Sequence, residues 1–498
     1  MKIHLNKIMK SALLCAVFGM VFTACQKRFD VVNTDPNNST TTSTSFLLTN
    51  AQKFMMDYTW DEWFNGRRGN QLAQYWASNQ YSAESRYALR VTITNNYWGF
   101  FYSRPLQDLQ EIIRLNEATP GDYVGFGKNE NQIAIAKTLQ AWLYQNMTDS
   151  WGPIPFSQAL GGAEFPFPKY DSQEEVYMGL LDLLNDAIAN FDDTDNSVKG
   201  DQIYNGDITK WKKFANSLKM RVAMRMSDVK TTEAATAISE AITGGVMTSN
   251  ADNALFMYMN GAPNNNPLAE DYKTRNDFAA SNVMVDELTR LGDPRRGFYY
   301  APNASGLFVG EVYGLTEADA ALTLDADISQ RNAQVLSETA PGIFMDYAQV
   351  EFLLAEAAER GIGGAGSAEA HYNAGITASM EYWDNAGTLL PADITAYIAQ
   401  PEVDYTTLMG TQTWREVIGR QKWIALYMQG VQGWAEYRRL DFGILQAPAG
   451  GTLDGTNIPN RMLYPTDEVT LNGEEYQAGV TLLGGADDLD TKLWWDIN

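Results

Sequence analysis

Apolar residues recur every three or four positions over long stretches of this chain, the spacing that lines side chains along one face of an α-helix. One series runs Trp211, Phe214, Leu218, Val222 and Met226, and a second runs Tyr347, Val350, Leu354 and Ala357, stopping at Gly361, a suitable helix end. A third joins Trp423, Tyr427, Val431 and Trp434 along a helix face. The same pattern predicts further helices over roughly 49–64, 97–116, 132–147, 173–191, 231–243 and 368–383. Period-two alternation, the mark of a half-buried strand, is scarce, so the expected class is mainly α.

Between the helices lie irregular stretches rich in Gly, Asn, Pro and Asp, at 259–278, 300–341 and 446–471. Structureless loops of that length inside a folded domain usually carry function. Ala368 and Tyr372, beyond the Gly361 stop, echo the A-x3-F pattern of a tetratricopeptide helical hairpin. Gly361, Gly363 and Gly366 satisfy G-x-G-x-x-G, but a dinucleotide fingerprint must follow a strand, and these lie between two helices. They read as the turn of the hairpin.

The N-terminus has its own logic. Lys2, Lys7 and Lys10 precede an apolar run from Ala12 to Phe22, too short to span a bilayer comfortably, as in a secretory signal. Phe22-Thr23-Ala24-Cys25 resembles a bacterial lipobox, with Phe where Leu is usual, which makes Cys25 the expected acylated first residue. Cys15 falls in the removed segment, so no thiol is left over. The division is therefore a signal peptide over 1–24, a lipid-anchored polar tether over 25–45 and a single helical domain over 46–498.

A formal charge of −24, from 37 basic and 61 acidic residues, disfavours nucleic acid and anionic lipid surfaces. Past the signal the only histidine is His371, read as a solvated helix residue, which removes His-rich zinc sites and leaves a Ser-His-Asp triad one candidate base and no G-x-S-x-G elbow. Carboxylates are too many to diagnose, so a surface glycoside hydrolase using an Asp/Glu pair stands as the enzyme alternative. No cofactor is expected. Asn33, Asp35 and Asn37, and Asp193, Asp195 and Ser197, alternate oxygen ligands as calcium loops do, but lack the glycine and glutamate that complete one, so a structural calcium ion has no clear motif.

Several blocks carry a resemblance. They are Asn33-Thr34-Asp35-Pro36-Asn37, Asp149-Ser150-Trp151-Gly152-Pro153-Ile154-Pro155-Phe156, and Tyr204-Asn205-Gly206-Asp207 leading into Trp211. The most specific are Gln421-Lys422-Trp423-Ile424-Ala425-Leu426-Tyr427, Trp434-Ala435-Glu436-Tyr437-Arg438-Arg439, Ile458 to Pro465 and the closing Trp494-Trp495-Asp496. In content and order the chain resembles the SusD/RagB-like lipoproteins of Bacteroidetes. The resemblance implies a tetratricopeptide-like scaffold with ligand-binding loops, and a binding protein rather than an enzyme. It also implies an exterior-facing outer-membrane location and a SusC-like TonB-dependent β-barrel partner that receives a glycan or oligopeptide. The quoted blocks themselves read as packing elements.

A sugar needs exposed aromatic faces for its C–H surface, flanked by amides or guanidiniums for its hydroxyls. Two segments offer that mixture: Trp76, Asn79, Tyr81, Arg86 and Tyr87 in one, and Asn266, Tyr272, Arg275 and Asn276 in the other. In the family resembled, a loop near the first contributes to ligand capture.

Overall fold

Short polar side chains, set just ahead of the apolar series, start several helices of this protein. In the computed structural model, which describes residues 42–453, 455 and 457–498, Asp207 accepts from the Lys210 amide at the head of the helix Ile208–Arg225. Ser172 and Glu175 close a reciprocal capping box on Gln173–Asn190, and Thr413 and Glu416 do the same on Trp414–Ala425. The predicted signal sequence, Cys25, the Asn33 to Asn37 block and most of the polar tether lie outside the described residues.

The main helices are α1 (Thr44–Trp60), α2 (Val91–Phe101), α3 (Gln107–Ala118), α4 (Asn129–Trp151), α5 (Gln173–Asn190) and α6 (Ile208–Arg225). They continue as α7 (Thr231–Gly244), α8 (Tyr347–Glu359), α9 (Ala368–Trp383), α10 (Trp414–Ala425) and α11 (Gly430–Leu440). Neighbours in sequence pack side by side: α3 on α4, α4 on α5, α5 on α6, α6 on α7, and α8 on α9. The glycines 361, 363 and 366 form the α8–α9 turn, as expected, and the two helices approach closely because Gly375 lies under the Phe352 ring. Strands are short two-stranded pairs. One of them, β1 (Trp76–Ser78) against β2 (Phe278–Ala280), is antiparallel, with Trp76 opposite Ala280 and Ser78 opposite Phe278.

Two expectations need correction, and a third is refined. The series from Trp423 to Trp434 is two helices, because Met428 takes a φ of 70° and Gly430 lies so close to Gly69 that a Cβ would sit 2.1 Å from its carbonyl carbon. The series survives the break because both helices face one core. The stretch 97–116 is helical throughout, as expected, but widens into a π-helical turn over Tyr102–Leu106 around Pro105, which has no N–H for the ladder. His371 is half-buried and paired rather than freely solvated: its Nδ1 lies 2.5 Å from the Glu351 carboxylate, whose hydrogen bond raises the imidazole pKa.

The family-like blocks build a buried charge network. Arg439 meets Glu356 at 2.5 Å and Glu436 at 2.6 Å, while Glu436 also takes Lys422 at 2.9 Å and Arg225 at 3.1 Å. All five side chains are at most 2% exposed. Buried charges persist only when paired and hydrogen-bonded, so α6, α8, α10 and α11 are held in one mutual arrangement by complementary charge as well as by shape.

Candidate ligand-binding site

Where α1 ends at Trp60, the chain restarts at once. The Asp61 carboxylate accepts from the Trp63 amide at 3.0 Å and the Phe64 amide at 2.7 Å, capping a π-helical segment over Glu62–Asn70. Burial pushes the Asp61 carboxyl up to about 8, against the hydrogen bond from Tyr97 and the two amides. The segment leaves Trp63 half-buried and sends Arg67 inward, where its guanidinium meets Asp277 at 2.6 Å and Glu84 at 3.2 Å.

The β1–β2 pairing brings the two sequence-predicted segments to one face. Arg275, bound through Nε to Asp277 at 2.9 Å, has its guanidinium carbon 5.3 Å from the Trp63 ring centre and 5.3 Å from that of Tyr81. Arg67 lies 5.1 Å from the Trp63 centre and 5.9 Å from the Tyr81 centre, and Arg90 lies 5.6 Å from Tyr81 on its other side. The result is a row of rings and guanidiniums in which each cation is also fixed by a carboxylate. Tyr81 is 50% exposed and Tyr272 41% exposed, so both offer ring surface to solvent.

The backbone beneath is held firmly. Tyr81 takes a φ of 53°, and its amide and that of Ser82 both donate to the Glu317 carboxylate, at 3.0 Å and 2.7 Å. Burial alone would raise the Glu317 carboxyl, but those amides, with Arg86 adding its charge, hold it below the ordinary range. Asn79 and Asn276 both donate to Asp325, at 3.1 Å and 3.5 Å. Arg331 links Tyr272 to this group: its guanidinium lies 5.3 Å from the Tyr272 ring centre and donates to the Asn276 amide oxygen at 3.1 Å. Asn79, Tyr81, Tyr272, Arg275 and Asn276 are therefore neighbours through shared partners, with half-buried Arg86 behind Glu317.

Three of the predicted residues have structural work and no free face. Trp76 is fully enclosed, donates through Nε1 to the Tyr427 hydroxyl at 3.2 Å and packs against Phe278. Tyr87 is 1% exposed with its hydroxyl on Gln74. Asn266 caps the short helix Pro267–Tyr272 and donates to the Ala340 carbonyl at 2.8 Å. Conversely, Trp63, Arg67, Arg90 and Arg331 escaped the periodicity argument. The available signal was the run Trp63-Phe64-Asn65-Gly66-Arg67-Arg68-Gly69, an arginine pair between glycines in an acidic chain.

A cavity of about 420 Å³ opens elsewhere, lined by Trp60, Leu255, Met257, Tyr382, Trp383 and Met428. Its amides are spent on the protein, Asn250 on the Ala378 carbonyl and Gln334 on those of Phe298 and Trp383. It suits a hydroxyl-rich ligand less well than the open aromatic face does.

Comparison with known proteins agrees with this architecture. The SusD-like family, described as starch-binding and associating with the outer membrane, matches residues 36–465. A solved chitin-binding protein is 28% identical, with a TM-score of 0.80, covering 92% of this chain and 100% of its own. A SusD homolog from Bacteroides uniformis is 26% identical, with a TM-score of 0.77, covering 91% and 100%. Another, from Bacteroides fragilis, is 25% identical, with a TM-score of 0.77, covering 92% and 99%. No curated protein matches the sequence. These likenesses displace the glycoside hydrolase reading, and the chain belongs to the SusD-like family of non-catalytic, outer-membrane-associated binding proteins.

Proposed function

We propose that this protein is a surface-exposed lipoprotein, anchored through an acylated Cys25, that captures a glycan on the face formed by Trp63, Tyr81, Tyr272 and Arg275 and passes it to a SusC-like TonB-dependent β-barrel. The observation that carries the ligand class is the exposed Tyr81 ring beside half-buried Trp63, with the Arg275 guanidinium between them. Two rings give C–H faces a surface, and guanidiniums and amides at their edges give hydroxyls their partners. The face is open rather than enclosed, which suits a segment of a long polymer. The chitin-binding name of the 28% identical relative supports a β-linked amino sugar polymer as the first ligand to try.

Isothermal titration of the purified domain with chito-oligosaccharides, and with malto-oligosaccharides and short peptides in parallel, tests the proposal. Tyr81→Ala and Trp63→Ala are each expected to weaken glycan binding by about 1–3 kcal/mol, roughly tenfold or more, by analogy with stacking on other aromatic platforms. The sugar should be recovered uncleaved. Wild-type binding with both variants at full affinity would remove the aromatic face from the site, and binding of peptides alone would change the ligand class.

The anchor has its own test. Mass analysis of the membrane-extracted protein should find an acylated Cys25 at the N-terminus, and Cys25→Ala should release the chain from the membrane fraction. An unmodified N-terminus elsewhere would refute the anchoring.

A further inference from the structure

The cavity of about 420 Å³ that the glycan face leaves aside has the size of a small-molecule pocket and a one-sided charge. Trp60, Tyr382 and Trp383 give rings to its wall, Met257 and Met428 give thioethers, and Glu381 is the one charged residue that lines it. Packing, not a ligand, sets the rings: the Trp383 ring lies 5.1 Å from that of Tyr299 and stands at 85° to that of its neighbour Tyr382. Met257 is 58% exposed, a large apolar side chain left in water beside the opening.

The neutral amides of the wall are engaged within the protein. Gln334 donates to the Phe298 and Trp383 carbonyls and accepts from Asn385 at 3.2 Å, and Asn250 donates to Ala378 and accepts from Asn253 at 3.3 Å. Glu381 is different. Three carboxylates on this side of the molecule, Glu351, Asp252 and Glu381, act on the Tyr347 hydroxyl, which burial first and then these groups push upward. Glu351 has His371 at 2.5 Å and Asp252 has Lys213 at 2.9 Å. Among the described residues nothing forms an ion pair or hydrogen bond with the Glu381 side chain, which is exposed.

We propose that this cavity is a second binding site, for a small organic cation: an ammonium group on an apolar body, seated against the Trp60, Tyr382 and Trp383 rings with its charge toward Glu381. Aromatic faces attract a cation through their negative quadrupole, more strongly where water is excluded, and the unpaired carboxylate adds direct attraction. The polarizable thioethers of Met257 and Met428 adapt to the apolar part. An anion would be repelled by Glu381 and by the net charge of −24, and a neutral sugar would find the amides already engaged.

The test uses the intact protein and needs no glycan, so its failure and that of the glycan proposal are separate results. Isothermal titration with benzyltrimethylammonium should show saturable binding, about tenfold tighter than benzyl alcohol, with none for benzoate. Glu381→Gln, at an exposed position, should weaken the cation roughly fivefold while leaving benzyl alcohol and glycan affinity unchanged. Ala340→Phe, which fills the cavity from its wall, should abolish binding of the cation; if that variant does not fold, Met257→Ala takes its place, with a several-fold loss expected. No saturable binding of the cation overturns the proposal. Equal affinity for the cation and benzyl alcohol also overturns it and leaves a merely apolar pocket. Full cation affinity in both Glu381→Gln and the cavity variant would put the bound cation elsewhere.

Discussion

Replacing Glu436 by Ala is expected to cost about 3–5 kcal/mol of stability, read as a lower midpoint in urea, because it strips a buried partner from three cations at once. Arg439, Lys422 and Arg225 all converge on that carboxylate, and none has exposure through which water could replace it. Glu436→Gln should recover part of the loss, since the amide oxygen still accepts hydrogen bonds. The pH dependence follows with a definite sign. Burial raises the Glu436 carboxyl, but Arg439, then Lys422 and Arg225, outweigh it and hold the group well below its ordinary value of 4.5. A carboxylate depressed in the folded state contributes fully above the unfolded value, and the contribution is lost as pH falls through the folded one. Acid unfolding of the wild type below about pH 4 should therefore be steeper than that of Glu436→Gln. Parallel acid curves for the two proteins would show that the network does not carry the linkage.

Trp76→Ala is the second large effect. Removing a fully enclosed indole that packs on Phe278 and lies 4.9 Å from the Arg331 guanidinium should cost about 3–5 kcal/mol, as other buried Trp truncations do. Tyr81→Ala, at a half-exposed ring, should change stability by no more than about 0.5 kcal/mol. Measuring denaturation and glycan affinity on both variants separates a supporting residue from a contacting one. A Trp76→Ala protein as stable as wild type would put that ring outside the core and reopen its place on the ligand face.

Most of the scaffold was legible because amphipathic spacing is a local property. The series from Trp211 and from Tyr347 each mark a real helix, and Ala368 to Trp383 is a helix with those bounds. What the spacing missed depends on partners distant in sequence. The break at Met428 is enforced by Gly69, and the charges in the 421–427 and 434–439 blocks find Glu356 and Arg225 on other helices. Trp76 misled for a different reason. Its polar neighbours Gln74, Ser78 and Asn79 look solvated in sequence, yet the three residues of β1 are all buried. Polar side chains can satisfy one another inside the fold, as Gln71 and Ser78 do, and then composition no longer reports exposure. Trp63 was overlooked because the helix predicted over 49–64 ran through it, whereas α1 ends at Trp60 and Asp61 starts a new helical segment.

The face that gathers Tyr81 and Arg275 exists only after residues 210 positions apart, such as Arg67 and Asp277, have met. On the proposed function the binding face is complete only once these distant segments have paired, so a chain clipped before β2 would lack it. On the same reading, retention on a glycan column would select molecules in which both segments have paired. If this face binds the ligand, the two ends are held differently, since Tyr272 rests on the Arg331 guanidinium while the Tyr81 and Ser82 amides are held by the Glu317 carboxylate, so a substitution at Tyr272 leaves the Glu317 hydrogen bonds in place. Diversification of specificity on an unchanged helical frame requires that kind of independence.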